Sequence, residues 1–228
     1  MTIERNILIS ILKLTKNGPV AKELISRDAQ VPFQVIDEML KKSCNTGLIQ
    51  WKGNVIEASS DQRIRIAIQA IKLGADFQRA CNFLKWDEFE NIAATALEAN
   101  NFTVKKHFHF SWLGRRWEVD VLGFRRPIIA CVDCKHWHHG WARSATLKAV
   151  EAQIERTHAL AAAFPQLREK VGVVDWKQAV LVPVVLSLAF GPLKFYQNTP
   201  IVPILQFQNF LNELSAHINS LTHFSVHL

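Results

Sequence analysis

The sequence predicts an α/β fold with a mixed sheet flanked by helices over residues 86–228, preceded by a small helical domain over 1–60 and a helical connector over 61–85. Three observations carry this. Three short helical patterns and a hairpin pattern fit into the first 58 residues. From Asp87 onward the order of patterns is α-β-β-β-α-β-β-α. Two runs, "IIACVDCK" and "AVLVPVVLSLAF", are apolar enough for buried strands.

The first helix carries Ile3, Ile7, Ile11 and Leu14 at helical spacing and ends at Gly18-Pro19. "VAKELISRDAQ" is a short second helix. "VPFQVIDEMLKKSCNTG" is a third, with Pro32 near its start and Gly47 after its end. Two β-like runs around Lys52-Gly53-Asn54 form a hairpin. Ser59 or Ser60 caps the connector helix, which Gly74 interrupts. Residues 87–104 form an amphipathic helix with Phe89, Ile92, Ala93, Ala96 and Leu97 on one face. "FTVKKHFHFSW" and "RRWEVDVLGF" flank a turn at Leu113-Gly114, and Arg125-Arg126-Pro127 precedes "IIACVDCK". A helix over about 144–163 follows. "AVLVPVVLSLAF" is the next strand, and "IVPILQFQNFLNEL" holds a last strand and a closing helix.

With 49% hydrophobic and 21% charged residues the chain is globular rather than disordered. Its net charge of +7 suits a polyanionic partner. Cysteines at 44, 81, 131 and 134 are too sparse for a disulfide framework. The start "MTIERNILIS" reads as an amphipathic helix rather than a leader. The longest apolar run, 179–190, is too short to span a membrane and contains Pro183. The expectation is a soluble, reduced, cytoplasmic protein with no membrane partner.

Three carboxylates stand where apolar residues belong. Asp120 lies between Val119 and Val121 in mid-strand, Asp133 ends the neighbouring strand, and Glu90 sits beside Phe89 on the sheet-facing side of its helix. Lys135, two residues beyond Asp133, projects from the same face. Clustered buried carboxylates repel and lose hydration unless a cation offsets both. Hard oxygen ligands suit Mg²⁺ or Mn²⁺, and such an ion beside a lysine is equipment for phosphodiester hydrolysis. Carboxylates paired with nearby Arg are the alternative.

Helix Glu, strand Asp, then Asp-x-Lys at the end of the next strand resembles the PD-(D/E)XK nuclease superfamily, above all its Mrr-like restriction endonucleases and archaeal Holliday junction resolvases. The resemblance covers about residues 86–212, through "WDEFENIAATALEANNFTV", "EVDVLG" and "VDCK". It implies a restriction-endonuclease-like domain that cuts DNA. Asp120 and Asp133 would be metal ligands, Lys135 the catalytic lysine, and Glu90 an auxiliary ligand. Gln153 would touch DNA or the site. Val119 stands where many members have proline, and Asp133 where Glu is more frequent.

The three helices and hairpin of 1–60 resemble a winged helix-turn-helix, with Gln34, Lys41 and Lys42 on the recognition helix. Winged helices also serve as protein-binding or dimerisation modules, and residues 1–60 hold eight basic and six acidic side chains, a net of only +2. Residues 105–143 hold eight Lys or Arg, among them Arg115, Arg116 and Arg143, and only three acids, Glu118, Asp120 and Asp133. That is the charge pattern for holding a polyanion. Trp112, Trp137 and Trp141 would stack on bases if exposed. Cutting both strands would favour a homodimer. A non-catalytic DNA-binding regulator is the competing reading. Cys131 and Cys134 point to opposite faces of a strand and read as packing rather than as a zinc or redox pair. The histidines of 136–139 are candidates for phosphate contact or for a loop over the site.

Overall fold

The computed structural model describes residues 3–137, 142–188 and 190–228. They fall into two compact units, divided between Glu88 and Phe89.

The first unit contains α1 (Ile3–Leu14), β1 (Val20–Ala21), α2 (Lys22–Ala29), α3 (Phe33–Asn45), β2 (Gln50–Lys52), β3 (Val55–Glu57), α4 (Ser60–Lys72) and α5 (Phe77–Asn82). The hairpin around Gly53 forms, with φ of 59° at that glycine. Val20 and Ala21 leave the second helix and pair with Ile56 and Val55, so the sheet has three strands in the order β1-β3-β2. Ser59 caps α4 in a reciprocal pair with Gln62. Residues 61–85 belong to this unit, and α4 packs on α1. Arg63 is buried there. Its guanidinium donates to Glu88 Oε1, Leu12 O and Thr15 Oγ1 at 2.7 Å each, and to Phe83 O at 2.5 Å.

The second unit takes in most of α6 (Trp86–Ala99). It continues with β4 (Thr103–Trp112), β5 (Arg115–Arg125), β6 (Ile128–Lys135), α7 (Arg143–Val171), β7 (Gln178–Ser187), β8 (Phe195–Tyr196), β9 (Thr199–Pro203), α8 (Ile204–His217) and β10 (Phe224–His227). The strand order is β4-β5-β6-β7-β9-β8, with β10 also on β7. Pairs β4–β5 and β5–β6 are antiparallel, whereas β6–β7 and β7–β9 are parallel. The sheet is therefore mixed, and the β6–β7 pair needs a long crossover, which α7 provides.

Helix α7 runs past Pro165, beyond the expected end near 163. One proline removes a single helical hydrogen bond. Phe164 and Val171 stay buried against the sheet, and the helix continues to a left-handed cap at Gly172. Phe108, Val119, Leu122, Phe124, Ile129 and Cys131 pack beneath α7. Helix α6 covers the other face. A Cβ on Gly123 would stand 2.7 Å from Leu97 Cδ2, so the glycine lets helix and sheet approach.

Candidate active site

Pairing between β5 and β6 reaches Val121 opposite Val132. The next residues outward, Asp120 and Asp133, therefore face each other where the ladder ends. Asp120 Oδ2 takes over the bonding and accepts from the backbone N–H of Cys134 at 2.7 Å.

On the other side of β5 the alternation breaks at the same level. Val119 and Leu122, three residues apart, both pack beneath α7, which regular alternation forbids. Lys106 reaches Asn91 on α6, whereas Phe108, two residues on, packs beneath α7. The turn-over on β4 is His107, whose φ of 49° lies in the left-handed region. A non-glycine residue there stores about 1 kcal/mol or more of strain, and strain of this kind gathers at functional sites. His107 Nε2 lies 3.2 Å from Glu90 Oε2, and its Nδ1 lies 3.3 Å from Glu118 Oε1. Glu90 is buried on α6, so His107 links it to the exposed Glu118.

Asp133 is 1% exposed. Lys135 Nζ donates to its Oδ1 at 3.0 Å and makes an ion-pair contact of 2.9 Å with Oδ2, an oxygen toward which no hydrogen bond is directed. Arg156 Nη1 donates to Oδ1 at 2.7 Å. The shared face of Asp133 and Lys135 is thus as the strand period requires, and a carboxylate–arginine pair is present as well. The sequence marks Arg156 only by its position three residues after Gln153, one helical turn along.

Gln153 is fully buried. It donates to Cys131 O at 2.7 Å and accepts from Arg156. Its contacts are to Cys131 and Arg156, and it has no exposed surface.

Burial, then the neighbouring Asp133, pushes the Asp120 carboxyl up to about 6; Glu90 adds to this, while the Cys134 N–H and Lys135 oppose it. These groups therefore share one electrostatic field. Burial also pushes the Cys131 thiol up to about 12, and burial with three nearby carboxylates raises Cys134 well above its ordinary value. Both cysteines are buried in the sheet, where burial disfavours the thiolate. Among the described residues no three His, Cys, Asp or Glu side chains stand together as a ready-made metal cage. What Asp120 and Asp133 offer is hard oxygen from facing positions, the donor type for a cation that keeps waters.

The expected nucleic-acid contacts differ in availability. Arg115 is paired with Glu155 at 2.7 Å and stacks 3.7 Å over the Trp117 ring. Arg116 lines an open cleft of about 520 Å³ with His109, Trp117 and Lys170. Arg143 is exposed at the first turn of α7. On α3, Lys41 and Gln34 are exposed, but Lys42 is paired with Glu4 at 3.3 Å. Trp112 and Trp137 are half-buried, each with one side packed against a core cluster. The His136 ring meets Phe89 edge-on at 5.8 Å. His138, His139 and Trp141 lie outside the described residues.

No family model matches the chain. An uncharacterized protein of Archaeoglobus fulgidus is 30% identical over 135 residues, which is 59% of this chain and 95% of that protein. The chain belongs to that protein's family. Two solved structures are also similar. The protein of unknown function AF1548 is 17% identical with a TM-score of 0.31, over 53% of this chain and 51% of that one. Protein VC1899 from Vibrio cholerae is 10% identical with a TM-score of 0.41, over 95% and 52%. The chain thus spans about half the length of either.

Proposed function

We propose that the second unit is a metal-dependent endodeoxyribonuclease of the restriction-endonuclease-like kind, hydrolysing phosphodiester bonds in DNA repair, recombination or restriction. The observation that carries this is Asp120 facing Asp133 at the end of the β5–β6 ladder, with Lys135 on Asp133. Asp120 and Asp133 would hold Mg²⁺ or Mn²⁺, with Glu90 as an auxiliary ligand. When bound, the ion supplies polarisation of the phosphodiester and an acidified water.

Lys135 does the rest from the protein side. Its ammonium lies beside the metal-binding carboxylate, where it can orient the attacking water and offset charge as the phosphorane-like state develops. Arg116 and Arg143 offer cations for the strand. Residues 1–60 would help place the enzyme on DNA as a winged helix, and cutting both strands would call for a homodimer.

A second reading, a DNA-binding regulator with a silent nuclease fold, has one observation in its favour: Lys135 and Arg156 already neutralise Asp133. Cleavage of plasmid and branched DNA with Mg²⁺ or Mn²⁺ separates the two. The nuclease reading expects cutting by wild type and at least about a hundredfold loss in Asp133→Ala. Equal cutting by both proteins removes the site assignment, and salt-sensitive binding with no cutting favours the regulator.

A further inference from the structure

We propose that Arg156 is a substrate-responsive positioning residue: it holds Asp133 in the resting protein, passes to a DNA phosphate when substrate arrives, and so opens Asp133 to the metal. This rests on the nuclease reading and adds the order in which the site fills.

The charge count motivates it. Asp133 carries one negative charge and contacts two cations, Lys135 and Arg156. Lys135 alone would neutralise it. Arg156 adds a second cation and, like Lys135, bonds Oδ1, an oxygen a metal would need. A divalent ion and a guanidinium cannot share that position without strong repulsion.

The geometry makes Arg156 movable and its resting place defined. Its helix is fixed, because Leu160 and Phe164 are fully buried beneath it. Its side chain is 19% exposed, whereas that of Asp133 is 2% exposed, so the arginine is the partner with a route outward. Gln153, braced on Cys131 O, accepts from the same guanidinium and supplies a second resting contact. A phosphodiester offers the planar fork a two-oxygen partner that matches it better than one carboxylate oxygen. Once the guanidinium turns to phosphate, Asp133 keeps Lys135 and loses the second cation and its bond to Oδ1. DNA and metal then each raise the affinity for the other, as linkage requires.

The test is Mn²⁺ binding by the full chain, read from the electron paramagnetic resonance of free Mn²⁺, with and without a phosphorothioate-linked duplex that resists cleavage. In wild type the duplex should tighten Mn²⁺ roughly tenfold or more. In Arg156→Gln, Mn²⁺ alone should bind roughly tenfold more tightly, and the duplex should add less than about threefold. Arg156→Lys, with the charge but not the fork, should fall between. Loss of coupling is the deciding readout, since deleting any nearby cation tightens metal binding. Coupling retained at the wild-type level in Arg156→Gln overturns the proposal and leaves a static ion pair, with the nuclease reading intact. No Mn²⁺ binding by wild type under either condition overturns the nuclease reading, and this inference with it.

Discussion

Asp120 Oδ2 accepts a 2.7 Å hydrogen bond from the Cys134 backbone N–H, holding a half-buried carboxylate opposite Asp133. The bond only partly offsets burial and repulsion, because the Asp120 carboxyl still lies at about 6 against an ordinary 3.8. The folded protein thus binds more protons at Asp120 than the unfolded chain does between those values. Its contribution to stability is fully present below pH 3.8 and is lost as pH rises through about 6. Asp120→Asn keeps an acceptor for Cys134 without the charge. It should stabilise the metal-free protein at neutral pH by up to about 3 kcal/mol and abolish cleavage. Urea unfolding in chelator at neutral pH and near pH 4 checks this; the gain should be confined to the higher pH. Mg²⁺ should stabilise wild type and leave the variant unmoved.

His107 should show a similar opposition between stability and function. Its left-handed backbone favours glycine. His107→Gly relieves about 1 kcal/mol of strain but deletes the contacts to Glu90 and Glu118. We expect stability equal to or above wild type and a fall in kcat. Strong destabilisation with unchanged turnover would remove His107 from the site.

Gly123→Ala tests how the sheet positions Glu90. The new methyl would meet Leu97 at 2.7 Å and Phe102 at 3.1 Å. Overpacking should cost about 1–3 kcal/mol and displace α6, lowering metal affinity along with stability. Unfolding and Mn²⁺ titration on the same preparation report both.

In the first unit, Arg63→Ala removes the cationic partner of a fully buried Glu88 and leaves it only the Lys85 backbone N–H. A loss of about 3–5 kcal/mol is expected by urea unfolding. The double variant Arg63→Met, Glu88→Met should recover a large part of it. Failure to recover would mean that the bonds to Leu12, Thr15 and Phe83 matter more than the charge pair.

DNA affinity should separate the surface cations. Arg116→Ala should weaken binding and lower the slope of log affinity against log salt by about 1. Lys42→Ala should change little, because Lys42 is engaged with Glu4. Equal effects from both would favour a contact surface that includes α3.

The order of the longer helices and strands, the Gly53 hairpin, a serine cap at 59 or 60 and the shared face of Asp133 and Lys135 were all determined by the sequence alone. Each follows from a local period or turn chemistry within a few residues. Tertiary structure decided what lies beyond that range. It put Val20–Ala21 and the short strand β10 into sheets, although neither run is long enough to show a period. It carried α7 past Pro165 because the far end of the helix has a core to bury. It turned Gln153 inward and brought Arg156 onto Asp133, 23 residues away in the chain. It also brought His107 to Glu90 through one left-handed residue. Alternation along a strand says which side chains share a face. Which helix residue meets them depends on the rotation of that helix on the sheet, and that is set by packing of the whole core.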